Sequence, residues 1–205
     1  MAVSFSMNSI EVYEYVCRYL AYTGNMIVVA PDYHLAPEYK FPAGLNEAYE
    51  TLVWTKNNIG LYYGDEGNIS VAGDSSGGNF AAAVSIMARD QEGPKIRKQI
   101  LFYPLTTNYE EEITDSEQHY QVGYFLNYNC MNNPMAHYFE NEEDVKNSLA
   151  SPLLEDNLKG LPPACFISAE CDPLLVSGLT VCGETSRCRS EGRISYFERD
   201  ASWIH

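Results

Sequence analysis

The chain alternates between segments with helical hydrophobic spacing and short, continuous apolar runs. Apolar side chains between residues 10 and 21 recur every three or four positions, which predicts an amphipathic helix that ends near Gly24. Residues 25–30 form a short apolar run, which favours a strand covered on both faces. A second helix is predicted from about Pro42 to Asn58, because proline is common at the first position of a helix.

The same alternation continues towards the C-terminus. Four further apolar runs predict buried strands, at residues 68–73, 99–104, 164–169 and 194–197. Residues 76–88 predict a helix of small side chains, and residues 173–189 predict a longer helix. Strands that alternate with helices in this way indicate an α/β fold with a parallel sheet.

Charge and cysteine content narrow the classes of function. The 205 residues carry a formal net charge of −15, which argues against nucleic acid or an anionic membrane surface as a partner. Much of this charge lies between residues 105 and 160, where eleven acidic residues face only two basic ones. We interpret that stretch as a solvated acidic face rather than a charge-selective site. The six cysteines include no Cys-x-x-Cys pair, so no metal site is expected.

One short motif carries the candidate chemistry. Residues 73–79 are Gly-Asp-Ser-Ser-Gly-Gly-Asn, in which a Gly-x-Ser-x-Gly pattern follows a predicted strand and opens a predicted helix. This context is typical of a nucleophile elbow, a tight turn that lifts a serine hydroxyl above the sheet edge. Glycines are needed around Ser75 because side chains there would collide with the neighbouring strand and helix. The backbone N–H of Ser76 is then expected to stabilise an oxyanion.

A nucleophilic serine needs a base, and the base needs a carboxylate that orients it. In this architecture the three residues follow in the order serine, acid, histidine, each after a strand. Asp172 follows the strand predicted at 164–169, and His205 follows the strand predicted at 194–197. The other three histidines precede Asp172 and do not fit this order. An ordinary surface carboxylate and an incidental terminal histidine are the alternatives at these two positions.

Six short motifs follow one another along nearly the whole chain: Asp-Tyr-His-Leu-Ala-Pro-Glu at 32–38, Phe-Pro-Ala at 41–43, the serine motif and its helix at 73–84, Ala-Ser-Pro-Leu at 150–153, Leu-Pro-Pro at 161–163 and Cys-Asp-Pro-Leu at 171–174. In this order they resemble the hormone-sensitive-lipase group of α/β-hydrolases, which includes arylacetamide deacetylases and many microbial carboxylesterases. The resemblance implies an α/β-hydrolase fold, a parallel sheet flanked by helices. Residues 1–205 would form a single partial domain with a cap-like helical insertion at about 106–160.

The same resemblance implies an activity and a set of site residues. The protein would hydrolyse carboxylic esters, with aryl amides as a further class of substrate. Ser75 would be the nucleophile, His205 the general base and acid, and Asp172 the residue that orients the histidine. The backbone N–H of Ser76 would belong to the oxyanion hole. The partner would be a small-molecule ester, and neither a cofactor nor a metal is implied.

The sequence departs from the family pattern at three places. His34 stands where the family usually has arginine, and residues 175–177 (Leu-Val-Ser) replace a charged run. Residues 1–4 (Met-Ala-Val-Ser) stand where the family has His-Gly-Gly-Gly, whose glycines supply further oxyanion donors. The chain is therefore expected to be a fragment, truncated at both ends, that lacks this glycine segment and the helix after the catalytic histidine.

Two alternatives to an active esterase are open from the sequence alone. One is a non-catalytic ligand-binding protein on the same fold, similar to the gibberellin receptors. The other is an inactive, truncated product without the oxyanion loop. No signal peptide or membrane anchor is predicted within the chain. This leaves open the cytoplasm and, through an anchor located upstream, the endoplasmic reticulum.

Overall fold

The computed structural model describes residues 5–6, 9–108, 115–120, 137–169, 171–175, 187–191 and 194–199. Its α-helices are α1 (Ile10–Gly24), α2 (Ala43–Asn58), α3 (Ser76–Asp90) and α4 (Asp115–Tyr120). Its strands are β1 (Ile69–Asp74), β2 (Ile96–Phe102), β3 (Ala164–Ala169), β4 (Arg187–Glu191) and β5 (Ile194–Arg199). Short 3-10 helices occupy Ile59–Tyr62, Glu142–Lys146 and Pro152–Leu154. The hydrophobic pattern thus predicts α1, α2, α3 and the strands β1, β2, β3 and β5 close to their observed positions.

The five strands form one sheet in the order β1–β2–β3–β5–β4. The strands β1, β2 and β3 run parallel to one another, and α3 connects β1 to β2 and packs against both. The predicted parallel sheet with flanking helices is confirmed in this part of the molecule. In contrast, β5 pairs antiparallel with β3 on one side and with β4 on the other, so a C-terminal hairpin extends the parallel sheet.

The helix predicted over residues 173–189 is wrong at its C-terminal end. β4 begins at Arg187 and runs to Glu191, while residues 176–186 lie outside the described part of the chain. Only two residues join β4 to β5, which is too short for a crossover, so the two strands pair antiparallel. The backbone of this segment pairs with β5. The spacing of apolar residues within one segment cannot show that it pairs with another.

The strand predicted at residues 25–30 is also wrong, because this segment has no regular secondary structure. Its apolar side chains are largely exposed, with Met26 at 53% and Ile27 at 48% of their full accessibility. β1 lies at the edge of the sheet, and none of the described strands pairs with residues 25–30. A strand covered on both faces needs neighbours that accept and donate its backbone hydrogen bonds, and the described strands do not provide them.

The core is built around α3, which buries 12 of its 15 residues. Phe80 of this helix lies in a cluster of aromatic rings. The centroid of its ring is 5.5 Å from that of Phe5, 5.1 Å from that of Tyr33 and 6.2 Å from that of Tyr138. Since Tyr138 belongs to the acidic stretch between residues 105 and 160, this stretch is anchored in the core as well as exposed to solvent.

The acidic stretch leaves and re-enters the body of the molecule at neighbouring points. The backbone N–H of Asn108 donates to Ser151 Oγ at 2.8 Å, and the side-chain amide of Asn108 donates to the carbonyl of Ala150 at 2.6 Å. The N–H of Leu153 donates to the carbonyl of Thr106 at 2.8 Å. These three bonds hold residues 106–108 and 150–153 side by side.

Candidate active site

Ser75 occupies the turn between β1 and α3 by itself. β1 ends at Asp74 and α3 begins at Ser76, so the chain reverses direction within one residue. This residue has φ 53° and ψ −121°, a backbone conformation that side-chain-bearing residues rarely adopt and that costs about 1–3 kcal/mol. The strand–turn–helix context predicted for the Gly-x-Ser-x-Gly motif is therefore present, and the serine is its strained residue.

The two glycines around this turn are required by close backbone contacts. A Cβ atom on Gly73 would collide with the carbonyl group of Gly77 in the first turn of α3. A Cβ atom on Gly78 would lie 2.7 Å from Cβ of Pro104, in the loop after β2. The sequence predicts that side chains in place of the glycines would collide with neighbouring elements. The structure identifies the atoms that they would meet. Both glycines allow α3 to lie directly against the ends of β1 and β2.

Three backbone hydrogen bonds hold Ser75 in its strained conformation. Its N–H donates to the carbonyl of Phe102, the last residue of β2, at 3.0 Å. Its carbonyl accepts the N–H of Leu105 at 3.0 Å and that of Asn79 at 3.1 Å. Because these partners come from a strand end, a loop and a helix, the position of the serine depends on all three elements.

Asn79 connects these elements through its side chain, which is 1% exposed. Its Nδ2 donates at 2.8 Å to the carbonyl of Leu105 and at 2.8 Å to the carbonyl of Ala150. Both protons of the amide are therefore used, one on the loop after β2 and one on the return of the acidic stretch. Sequence reasoning did not single out Asn79. The available signal was a single amide side chain in the first turns of a helix that is otherwise small and apolar up to Ala88.

Ser76 is the first residue of α3 and is 1% exposed. Its backbone lies at the helix N-terminus, the end at which the helix dipole favours negative charge. Its side-chain oxygen accepts the N–H of Phe5 at 3.2 Å. The residue predicted as an oxyanion donor is thus adjacent to Ser75 and at the required end of the helix.

Asp172 lies three residues after the end of β3, on the same edge of the sheet as Ser75. Its carboxylate is half-buried, and Oδ1 accepts the N–H of Leu174 at 2.9 Å. Burial raises the pKa of Asp172, and the hydrogen bond from Leu174 opposes this shift. The pKa of Tyr103, at the end of β2, is also raised, first by burial and then by the negative charges of Asp74 and Asp172.

Asp74, Tyr103 and Asp172 lie at or just after the carboxyl ends of the parallel strands β1, β2 and β3. Asp74 precedes the candidate nucleophile, Asp172 is the candidate orienting acid, and the charges of both contribute to the raised pKa of Tyr103. The carboxyl ends of neighbouring parallel strands meet at one sheet edge, where open α/β sheets bind their ligands. Tyr103 was not predicted as a site residue from the sequence, although it lies within the strand predicted at 99–104, directly before Pro104.

Two parts of the predicted site fall outside the described residues: His205, and residues 1–4 in the position of the glycine segment. Within the described ranges, no three side chains of His, Cys, Asp or Glu are grouped closely enough to hold a metal ion. The helices in this described part also include none with the length and hydropathy needed to cross a membrane.

Residues 3–200 match a protein family described as alpha/beta hydrolase fold. An arylesterase of Saccharolobus solfataricus is 36% identical to this chain over 173 residues, which is 84% of the chain and 56% of the relative. Carboxylesterase NlhH of Mycobacterium tuberculosis is 33% identical over 177 residues, or 85% of the chain and 55% of the relative. Arylacetamide deacetylase of Bos taurus is 30% identical over 164 residues, or 75% and 40%.

Solved structures give the same result at the level of the backbone. A hyperthermophilic esterase from Pyrobaculum calidifontis superposes with a TM-score of 0.82 at 39% identity, covering 86% of this chain and 56% of the esterase. The thermostable carboxylesterase EstE1, cloned from a metagenomic library, superposes with a TM-score of 0.83 at 38% identity, covering 88% and 62%. The chain therefore spans about half the length of the curated relatives it matches.

Proposed function

This chain belongs to the alpha/beta hydrolase fold family, and we propose that it is a serine hydrolase that cleaves carboxylic esters at Ser75. The observation that carries the proposal is the strained backbone of Ser75, with φ 53° and ψ −121°, alone between a strand and a helix. Strain of this kind persists where the surrounding structure enforces it, and it projects the hydroxyl above the sheet edge. The relatives named as esterases and carboxylesterases support the class of reaction.

In the proposed mechanism, Ser75 Oγ attacks the carbonyl carbon of the ester while His205 accepts its proton. The new C–O bond gives a tetrahedral intermediate with a negative charge on the former carbonyl oxygen. The intermediate collapses when the bond to the alcohol breaks, and His205 returns its proton to the departing alkoxide. Water, deprotonated by the same histidine, then attacks the acyl carbon of the acyl–Ser75 ester. The bond between this carbon and Ser75 Oγ breaks, His205 returns the proton to Oγ, and the carboxylic acid is released.

Two residues support these steps by charge and position. We assign to the N–H of Ser76 the stabilisation of the oxyanion, because it lies beside Ser75 at the N-terminus of α3. We assign to Asp172 the orientation of His205, with its ionised carboxylate stabilising the imidazolium that forms. The half-buried environment of Asp172 strengthens such an interaction, since charges attract more strongly where water is scarce.

For the substrate we propose only broad chemical classes. Carboxylic esters are the primary class, and aryl amides are a second class suggested by the similarity to an arylacetamide deacetylase. We propose residues 106–160 as a cap beside the site. In support, this stretch contacts α3 through Ala150 and reaches the aromatic core through Tyr138. Apolar contacts with the acyl or alcohol group are the expected basis of selection.

The test is covalent labelling of the 205-residue chain with a fluorophosphonate probe, followed by peptide mapping. Ser75 should carry the phosphonyl group, and Ser75→Ala should remove the label. Ser85→Ala is the matched control, since Ser85 is also buried in α3 and its hydroxyl donates within the helix, to the carbonyl of Ala81 at 2.8 Å. If Ser75 remains unlabelled while the chain shows a cooperative melt, the proposed function is wrong.

A further inference from the structure

Two side-chain hydrogen bonds flank the candidate nucleophile, and both come from the N-terminal part of the chain. The hydroxyl of Tyr13 in α1 donates to Oδ2 of Asp74 at 2.8 Å. The N–H of Phe5 donates to Oγ of Ser76 at 3.2 Å. Asp74 and Ser76 are the immediate neighbours of Ser75 in the sequence, so one segment holds the turn on each side of the serine.

We call these two bonds, from Tyr13 to Asp74 and from Phe5 to Ser76, the clamp. Phe5 is itself fixed in the core. The Phe5 side chain is 2% exposed, and its ring stacks on that of Tyr138, with centroids 4.1 Å apart and planes 4° from parallel. Its carbonyl accepts the N–H of Ala36 at 3.1 Å. With its N–H, its carbonyl and its ring all engaged, Phe5 provides a rigid attachment for the Ser76 side chain.

Tyr13, unlike Phe5, belongs to an element outside the core, because α1 buries none of its residues. The bond from Tyr13 to Asp74 therefore connects a largely exposed helix directly to the residue before the nucleophile. This bond is partly buried and joins residues 61 positions apart in the sequence. A partly buried hydrogen bond to a carboxylate is stronger than one between neutral groups.

The backbone partners of Ser75 come from β2, the loop after it and α3, but the two side-chain bonds come from the opposite direction along the chain. We propose that Tyr13 and Ser76 are positioning residues that hold the strained Ser75 turn, Tyr13 through Asp74 and Ser76 through Phe5. This role rests on the proposed function, in which Ser75 is the nucleophile. The Ser76 side chain acts in it separately from the backbone N–H assigned to the oxyanion.

The test uses Tyr13→Phe and Ser76→Ala in the 205-residue chain, each of which removes one hydroxyl. The matched controls are Tyr22→Phe, since Tyr22 is 88% exposed on the same helix, and Ser85→Ala, since Ser85 is equally buried in α3. A hydrogen bond contributes a factor of about 2–12 in an equilibrium. We therefore expect the fluorophosphonate labelling rate and kcat for p-nitrophenyl acetate to fall about three- to tenfold in each test variant, with KM nearly unchanged. The controls should match the wild type.

A second measurement does not depend on activity. Amide hydrogen exchange of a peptide covering residues 73–79 should be faster in Tyr13→Phe and Ser76→Ala than in the wild type, and unchanged in the two controls. Equal exchange and equal labelling rates in test and control variants would overturn the proposal, even if the test variants melted at lower temperature. Faster exchange in the test variants of a chain that is never labelled would support the clamp and refute Ser75 as the nucleophile.

Discussion

The side chain of Asn79 offers the sharpest test of how the nucleophile turn, the turn at the proposed nucleophile Ser75, is held. Asn79→Ala removes two hydrogen bonds of 2.8 Å, to the carbonyls of Leu105 and Ala150, from a site that is 1% exposed. Its backbone N–H, which donates to the carbonyl of Ser75, stays in place. The variant therefore removes the connection between loop, helix and acidic stretch without removing a backbone bond of the serine.

The two carbonyls lose different amounts of stabilisation. Ala150 keeps a second donor, the amide of Asn108 at 2.6 Å, so its loss is that of an ordinary hydrogen bond, about 0.5–1.5 kcal/mol. The carbonyl of Leu105 loses a buried donor, which costs about 1–3 kcal/mol. Together these terms lower the free energy of unfolding by about 1.5–4.5 kcal/mol, which corresponds to a fall in Tm of about 3–18 °C for a chain of this size.

Thermal melting followed by circular dichroism measures this loss, with Asn58→Ala as the control. The amide of Asn58 also donates to a carbonyl at 2.8 Å, that of Trp54, but this bond is exposed. Its removal should change the free energy of unfolding by less than about 0.5 kcal/mol. Because Leu105 also donates its N–H to the carbonyl of Ser75, Asn79→Ala should slow fluorophosphonate labelling as well. Equal melting temperatures in the two variants would refute the reasoning.

Three further predictions concern other parts of the site and its support. Gly73→Ala should abolish labelling of Ser75, because the new Cβ collides with the carbonyl group of Gly77. Peptide mapping of the labelled protein measures this, with Gly60→Ala as control, since a Cβ atom on Gly60 would meet nothing within 4 Å. Asp172→Asn should keep the fold and lower kcat by about 10³–10⁴, measured with p-nitrophenyl acetate. Burial opposes ionisation of Glu47, but the N–H, ring and charge of His34 lower the pKa of its carboxyl overall. Wild type should therefore melt above Glu47→Gln at neutral pH, and the gap should close as acidification below pH 4.5 protonates the carboxylate.

The nucleophile turn could be predicted from the sequence because its determinants are local. An apolar strand, two glycines, a serine and a helix of mostly small residues follow one another within residues 69–90, and each restricts the same few backbone angles. The position of Asp172 was predictable for a similar reason, since it lies only three residues after the end of β3. The family resemblance placed these pieces in order, and the sheet of β1, β2 and β3 agrees with it.

The features that could not be predicted depend on residues far apart in the sequence. Residues 25–30 have the composition of a buried strand, but a strand forms only where neighbours pair with it. β4 is formed by pairing with β5, and the periodicity of its own residues does not show this. The partners of Asn79 are 26 and 71 positions away, so its role as a connection is visible only in three dimensions. His205 stays a prediction, since it lies outside the described residues.

The side-by-side bonds between residues 106–108 and 150–153 have a consequence for how enzymes of this kind diversify. They fix the exit and return of the acidic stretch at one place, next to α3, the helix that follows Ser75. The free energy of closing a loop between fixed ends grows only slowly with its length, by about 0.6 kcal/mol for each doubling. Insertions and deletions between the two ends that leave Tyr138 stacked on Phe5 should therefore cost the Ser75 turn little, whereas changes at Tyr138 reach it through Phe5 and Ser76. For the proposed esterase, this separates the residues that would select a substrate from those that hold Ser75, except at Tyr138.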